Sequence, residues 1–155
     1  MADDVQANVY MEQGGDVLNV DTGGELQFEG RRRHIAKVAL GADNSNGGVL
    51  AWQNPQDTAI LVERVILDIT SEATGSANID VGSASGSGST SDNLIDGQAI
   101  GDAVKVLDNI DDQGTNGGAT VRLDANGGTT DWITGSPSAD PAGLAGNAYI
   151  YFYEV

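Results

Sequence analysis

Apolar and polar residues alternate over short stretches of this chain, and no stretch keeps the spacing of an amphipathic helix for long. Isoleucine and valine together outnumber leucine by 23 to 10, which also favours strands over helices. Clusters of Gly, Asn, Asp and Ser separate the alternating stretches. The pattern therefore predicts an all-β fold, with eight strands in a two-sheet sandwich. The predicted strands are Ile35–Ala39, Gly48–Gln53, Ala59–Thr70, Ala77–Gly82, Ala103–Asn109, Thr120–Asp124, Asp131–Thr134 and Asn147–Glu154.

Two of these strands carry more detailed predictions. In Ala59–Thr70, Glu63 does not fit the alternation of an otherwise apolar inward face. The residues predicted for that face are Leu61, Val65, Leu67 and Ile69. In the last strand, Tyr149, Tyr151 and Tyr153 alternate with other bulky apolar residues, so this strand should be central in its sheet or lie at a subunit contact. Asn126-Gly127 is the best candidate for a hairpin turn, between 121–123 and 132–134.

The first 33 residues differ from the rest. A Gly-Gly-acidic opening followed by a short apolar-polar alternation occurs at Gly14 and again at Gly23, which is a short internal repeat. A single short strand cannot bury an apolar face by itself, so the apolar residues of the repeat need partners. These residues are Leu18, Val20, Leu26 and Phe28. We expect the same segment of other copies to supply the partners, in a trimer first and a pentamer next; the alternative is one hairpin on the sandwich. The predicted division is an arm over 1–33 and a sandwich over 34–155.

Charge changes the picture of possible partners. The 155 residues include 23 Asp and Glu against 7 Lys and Arg, a net charge of −16. Such a surface repels phosphate and anionic lipid, so we expect no binding to nucleic acid or to a membrane. Molar salt would screen the repulsion, and the composition is similar to that of proteins from salt-in halophiles. The alternative is an ordinary acidic extracellular or viral protein. Neither a signal peptide nor a membrane span is visible in the sequence.

Candidate chemistry is sparse. The chain has no cysteine and one histidine, His34, which leaves little material for a serine triad or a zinc site, so we expect no enzymatic activity. Two carboxylate clusters could offer oxygen ligands to calcium, although acidic residues are so frequent that such clusters also arise by chance. They are Asp108, Asp111 and Asp112, and the pair Asp124 and Asp131. No other cofactor is expected.

Arg31, Arg32 and Arg33 hold three of the seven cations at the junction between arm and sandwich. Guanidinium groups concentrated on an acidic body suit docking onto an acidic partner. The alternative is that the three arginines neutralise the chain's own acidic surface.

Several segments resemble small proteins encoded among the head genes of tailed viruses. They are Ile60–Thr70, Ala77–Gly82, Asp92–Gly97, Asp108–Ile110, Gly114–Gly117 and Ala142–Ile150, while the Gly-Gly repeats look like the stalks of virus head fibres. The resemblance spans nearly the whole chain, but its motifs are structural and include no catalytic signature. It implies a jelly-roll sandwich from about residue 34, with the preceding arm attached to the shell or to sister subunits.

The resemblance implies a virion structural protein, namely a homo-oligomeric capsid decoration or turret protein. Its partners would be further copies of itself and the major capsid protein or another head protein. It would be made in the host cytoplasm and lie on the capsid surface, and with the halophile-like composition the virus would be a haloarchaeal tailed one. The alternative is the receptor- or glycan-binding head of a virus fibre or adhesin-like module, which would use its acidic loops.

Overall fold

A computed structural model of the chain describes Val9–Met11, Leu18–Val20 and residues 33–155. The chain divides into two units, Met1–Arg31 and Arg32–Val155. In the first unit, β1 (Val9–Met11) pairs antiparallel with β2 (Leu18–Val20). The described residues contain strands and turns and no α-helix. Within that described part, no helix could span a membrane.

The second unit is a sandwich of two antiparallel sheets. Its strands are β3 (Arg33–Ala39), β4 (Leu50–Gln53), β5 (Ile60–Ser71), β6 (Asn78–Ala84), β7 (Ile95–Ala99), β8 (Lys105–Asp108), β9 (Val121–Leu123), β10 (Trp132–Pro137) and β11 (Ala145–Glu154). One sheet has the order β3-β11-β5-β8, with β9 also paired to β5, and the other has the order β4-β10-β6-β7. The all-β sandwich predicted from the sequence is confirmed.

Strand pairing follows a simple rule along the chain. The first strand of the sandwich pairs with the last (β3 with β11) and the second with the last but one (β4 with β10). β5 pairs with β8 and β9, and β6 pairs with β7 at the middle of the chain. The chain of the sandwich therefore folds back on itself as one long antiparallel ribbon. Successive strand pairs of this ribbon lie alternately in the five-stranded and the four-stranded sheet.

All eight predicted strands are present, but residues 33–155 form nine strands rather than eight. The strand that the sequence did not reveal is β7. Its centre is Gly97, with a φ of 68°, and only Ile95 is a large apolar residue, so it lacks a readable alternation. β7 is the edge strand of its sheet and pairs irregularly with β6. The Gly97 N–H also donates to Asp80 Oδ1 at 2.8 Å, which holds β7 to β6 at this point.

The misfit at Glu63 is a β-bulge in β5. Tyr151 lies opposite Arg64 and Phe152 opposite Val62, so Glu63 is the extra residue. The extra residue shifts the alternation of inward and outward side chains by one position. The prediction that Leu61 points inward is therefore wrong: Leu61 is not fully buried, and Val62 points inward before the bulge. Val65, Leu67 and Ile69 after it point inward as predicted. The inward residues of β5 are Ile60, Val62, Val65, Leu67 and Ile69, each at most 1% exposed.

The predicted hairpin around Asn126-Gly127 is wrong. β9 pairs with β5 in one sheet, whereas β10 pairs with β4 and β6 in the other, so the loop between them crosses the sandwich. Gly127 does take a positive φ of 81°, as the turn chemistry requires. Asp131 holds this loop, because its Oδ2 accepts from the Gly127 N–H at 2.8 Å and from Gln53 Nε2 at 2.7 Å.

The core lies between the two sheets, and β11 crosses its middle. β11 has β3 on one side and β5 on the other, which confirms the prediction that the tyrosine-rich strand is central. Its inward residues Ala148, Ile150 and Phe152 are at most 3% exposed, and Phe152 packs against Trp52 of the opposite sheet with 5.3 Å between ring centroids. The three tyrosines consequently point away from the core, onto the outer face of the five-stranded sheet.

Candidate functional site

The outer face of the five-stranded sheet carries an unusual set of side chains, which we call the tyrosine face. On β3 the outward residues are exposed and alternate with half-buried ones. On β5 and β11 the outward residues alternate with the buried core residues. The tyrosine face consists of Arg33, Ile35, Lys37, Arg64, Ile66, Asp68, Val106, Tyr149, Tyr151 and Tyr153.

Cations lie over two of the tyrosine rings. The guanidinium carbon of Arg33 is 4.8 Å from the centroid of the Tyr151 ring, and Lys37 Nζ is 5.7 Å from that of Tyr149. Both distances fall within the range of cation–π attraction. Arg33 also pairs with Glu63 across the sheet, at 2.9 Å between Nη2 and Oε2. Arg33 thus has local partners, while Arg31 and Arg32, predicted with it to dock a partner, lie outside the described residues.

Arg64 and Asp108 form a second ion pair beside Tyr151. Asp108 is 8% exposed, and its Oδ1 accepts from the backbone N–H of Ile110 at 2.7 Å and of Asp111 at 3.0 Å. Arg64 Nη2 donates to the other oxygen. Burial alone would raise the pKa of Asp108, but the hydrogen bonds from Arg64 and from the two backbone groups outweigh burial and hold that pKa below its usual value. The same pair raises the pKa of Arg64.

We expect Asp108→Ala to lower the Tm by about 4 °C at pH 7, because it removes a charge-assisted pair and the carboxylate oxygen that accepts from two backbone N–H groups. Since the pKa of Asp108 is lower in the folded than in the unfolded chain, this stability is present above about pH 4 and is lost as the pH falls through the folded-state pKa. Melting curves at pH 7 and pH 3 should therefore show a gap to wild type that narrows in acid. Asp111→Ala is the matched control, since Asp111 is exposed in the same turn and its side chain makes no hydrogen bond to the rest of residues 33–155. An equal loss in both variants would contradict this assignment.

Positive charge is concentrated on this side of the sandwich. Residues 33–155 contain 16 Asp and Glu against 5 Lys and Arg. Three of these five cations belong to the tyrosine face, and a fourth, Arg122, extends outward from β9 opposite Leu61. The remaining surface of the described sandwich is therefore almost purely acidic, and the tyrosine face is its least negative part.

The outer face of the four-stranded sheet is different, because the chain's own loops cover part of it. Thr134 and Ser136 of β10 are at most 4% exposed, and Ser136 Oγ accepts from the Gly47 N–H at 2.9 Å. Gly47 has a φ of 71°, and a Cβ there would collide with the carbonyl oxygen of Ser87, so the two loops pack closely at this point. A partner consequently has less of this sheet to contact than of the other.

Four of the five predicted calcium ligands, all but Asp111, have side-chain partners within the described residues. The Asp108 carboxylate bonds Arg64 and two backbone N–H groups, as described above. Asp112 Oδ2 accepts from the Asp108 N–H at 2.9 Å. Asp124 Oδ2 accepts from the Thr130 N–H at 3.0 Å, while Asp131, 2% exposed, bonds Gln53 and Gly127. Within the described residues, no group of three or more His, Asp or Glu side chains converges as a metal site would require.

We therefore expect calcium to leave the stability of the sandwich unchanged. A ligand that binds only the folded state raises the Tm once its concentration exceeds its dissociation constant, so without a calcium site the Tm in EDTA and in millimolar CaCl₂ should agree to within about 1 °C. MgCl₂ at equal ionic strength is the control. A calcium-specific rise of several degrees would restore the carboxylate clusters as candidate ion sites.

The residues predicted to associate around a symmetry axis are only partly described. Leu18 and Val20 lie in β2, whose backbone pairs with β1 of the same chain, with Leu18 opposite Met11 and Val20 opposite Val9. Leu26 and Phe28 lie outside the described residues. The trimer expected from this segment stays a prediction.

A small open cavity lies on the four-stranded sheet beside the serine-rich loop. It has a volume of about 180 Å³ and is lined by Asp80, Thr90, Ser91 and Asp92. Asp92 Oδ2 accepts from Asn116 Nδ2 at 2.9 Å. The two carboxylates around this opening can accept hydrogen bonds from a polar ligand, and the two hydroxyl groups can both accept and donate them.

The single histidine belongs to the packing of the sheet. His34 stacks on Phe152 at 5.1 Å between ring centroids, and its Nε2 lies 3.2 Å from Glu154 Oε1. Together these contacts fix the ring at the edge of the core.

Sequence reasoning identified the three tyrosines and Arg33 as candidate interface residues, but it did not place the side chains of the tyrosine face together. Ile35 and Lys37 alternate with other residues along the strand predicted at Ile35–Ala39, and Arg33, two residues earlier, continues this alternation. The alternation was the signal that could have placed the three residues on one face. Asp68 faces outward by the alternation of the strand predicted at Ala59–Thr70, whereas its contact with Val106 carries no such signal, because the two meet only through the pairing of β5 with β8.

Comparisons with known proteins found a remote structural likeness and no match among family models or curated proteins. One similar solved structure is described as the acidic stable capsid structure of Helicobacter pylori bacteriophage KHP30. The two chains are 15% identical, the match covers 79% of this chain and 92% of that one, and the TM-score is 0.42. This likeness is too remote to assign the chain to a family.

Proposed function

We propose that the sandwich is a jelly roll and that the chain is a structural protein of a virus head. The observation that carries the proposal is the strand order, in which β3 pairs with β11, β4 with β10 and β6 with β7 across two sheets. A ribbon rolled in this way is the plan of the jelly roll, which viral capsid proteins and lectins share. Segments such as Ile60–Thr70 resemble proteins encoded among virus head genes, and this resemblance favours a capsid protein over a lectin.

Within the head, the proposed role is that of a homo-oligomeric decoration or turret protein on the capsid surface. The arm over 1–33 would hold the chain to the shell or to sister copies, in a trimer, and Arg31, Arg32 and Arg33 would meet carboxylates of the major capsid protein or another head protein. The acidic composition fits a haloarchaeal tailed virus. The proposed work is binding and mechanical protection, without catalysis.

The test is attachment to head particles that lack this protein. Purified full-length chain is mixed with such heads, and bound chain is measured after the heads are pelleted. We expect Arg31→Ser with Arg32→Ser to reduce binding at least tenfold, since loss of two charge-assisted pairs at an interface costs about that much or more. This double variant keeps the Arg33–Glu63 pair of the sandwich.

Arg122→Ser is the matched control, because Arg122 is an exposed arginine of β9 that does not belong to the predicted docking group, so its loss should leave binding unchanged. If the wild-type chain does not bind heads at all, the head-protein proposal fails. If the double variant binds as wild type does, the docking role of the arginines fails while the head-protein proposal stands.

A second candidate function is recognition of a glycan, which the cavity at Asp80 and Asp92 favours. Carboxylates and hydroxyl groups are common hydrogen-bonding partners of polar ligands in small sites. A glycan array with the wild-type chain and with Asp92→Ala tests it: binding that the substitution abolishes would support this function, and equal signals from both proteins would exclude the cavity as a glycan site.

A further inference from the structure

We propose that the tyrosine face is a contact surface between two copies of this chain, related by a two-fold axis that runs along the strands. The inference rests on the proposed self-association but not on the virion assignment. It is also separate from the trimer expected from residues 14–30, since it concerns the sandwich alone.

The side chains of the face suit a protein interface. Ile35 at the β3 edge is 60% exposed and Val106 at the β8 edge is 59% exposed, which places large apolar groups at both sides of the sheet. Tyr149, Tyr151 and Tyr153 lie between them, half-buried. Tyrosine and arginine are enriched in interfaces, and in a face-to-face contact the apolar edges would be removed from water.

Charge favours a second copy over this face rather than elsewhere. The sandwich carries 16 carboxylates and 5 cations, so two copies that met through other surfaces would oppose carboxylates with almost no cations to pair them. On the tyrosine face, Arg33 is paired with Glu63 and Arg64 with Asp108. This face is where two such acidic bodies meet with the least repulsion.

The two halves of the face are complementary to each other. The β3 half carries Arg33 and Lys37, and the β5–β8 half carries Asp68. Within the described residues neither Lys37 nor Asp68 has an ion-pair partner. Lys37 lies opposite Tyr149 of β11, and Asp68 lies opposite Asn147, which is two residues earlier on the same strand. An axis along the strands lays β3 over β8 of the second copy and β11 over its β5. Lys37 is then one strand across and two residues along from the second copy's Asp68, within reach of a lysine side chain, and the two-fold axis repeats this contact.

The size of the face predicts a weak dimer. The sheet is four strand positions wide, and at about 4.8 Å per strand and 3.3 Å per residue over about seven residues it offers roughly 450 Å². Two copies would bury roughly 900 Å², which is at the low end for specific interfaces. We expect a dissociation constant on the order of micromolar.

Sedimentation equilibrium of the full-length chain in about 0.15 M NaCl tests the contact. The molar mass should halve on dilution, whatever number of copies residues 14–30 hold together. Ile35→Glu should raise the dissociation constant at least tenfold, because it adds a carboxylate to an apolar contact between acidic bodies. Ala51→Glu is the control, since Ala51 is exposed on β4 of the other sheet and the added charge is the same.

Charge exchange tests the two-fold arrangement itself. Lys37→Asp and Asp68→Lys should each weaken association about tenfold, and the variant with both changes should return to within about threefold of wild type. In 2 M NaCl the effect of the charge variants should vanish while that of Ile35→Glu persists, because the screening length falls to about 2 to 3 Å.

Three outcomes would overturn the inference: equal effects of Ile35→Glu and Ala51→Glu, failure of the double charge variant to recover, or no concentration-dependent halving of the mass. Head binding is read in a separate assay, so the two proposals can fail independently. A chain that binds heads without using this face overturns only the inference, and a chain that dimerises through it without binding heads overturns only the proposed function.

Discussion

Replacing Ile150 by Ala is expected to lower the free energy of unfolding by about 2 to 5 kcal/mol, as for other fully buried large-to-small changes. Ile150 is 0% exposed and lies in β11 between Ala36 of β3 and Val65 of β5. Truncation would leave a cavity at the centre of the five-stranded sheet, where flanking strands on both sides prevent collapse. Urea unfolding monitored by tryptophan fluorescence measures the change.

Ile110→Ala is the matched control for this substitution. Ile110 is 48% exposed, so the same change of side chain should cost about 0.5 kcal/mol or less. If the two variants lose equal stability, the inward direction of Ile150 is wrong, and with it the outward direction of its tyrosine neighbours.

The second large effect is expected for Asn109→Ala, about 3 kcal/mol. Asn109 is 0% exposed; its Oδ1 accepts from the Val65 N–H at 2.7 Å, and its Nδ2 donates to the Ala119 carbonyl at 2.7 Å. Alanine would leave the buried Val65 N–H without its acceptor, which costs about 1 to 3 kcal/mol, and loss of the bond to the Ala119 carbonyl adds about 1 kcal/mol. The same urea titration measures this loss.

Asn116→Ala provides the comparison, because Asn116 is exposed and its Nδ2 bonds only Asp92; we expect a loss of at most about 1 kcal/mol. Asn109→Asp tests the donor separately. It keeps the acceptor for Val65 but lacks the N–H for Ala119, so it should be unstable at pH 7 and regain stability as the pH falls and the carboxyl becomes protonated. If the side chain at position 109 were exposed, the Asn109→Asp variant would not regain stability in acid.

The strands that were readable from the sequence are those whose two faces differ. β5 and β11 alternate because one side contacts the core and the other does not, and both were predicted to within a residue or two at each end. β7 was not readable, since a glycine at its centre and its place at a sheet edge leave little apolar pattern. The position of Glu63 was seen as a misfit, and only the pairing with β11 reveals it as a bulge.

Sites were harder to predict than strands because they depend on pairings between distant segments. Asp108 could be recognised as a candidate ligand from its neighbours in sequence, but its partner Arg64 lies 44 residues earlier and meets it through the pairing of β5 with β8. Likewise, the loop with Asn126 and Gly127 has the residues of a hairpin turn, and yet its two flanking strands belong to different sheets. Local turn chemistry fixes the turn and not the strands it joins.

The most direct test of the proposed head-protein role is quantitative mass spectrometry of density-purified virus particles released from cells that carry the gene for this chain. The account predicts that the chain is present at a fixed number of copies per major capsid protein, and that this ratio persists through repeated gradients in high salt. Particles that are infectious and complete without detectable copies of the chain would contradict it.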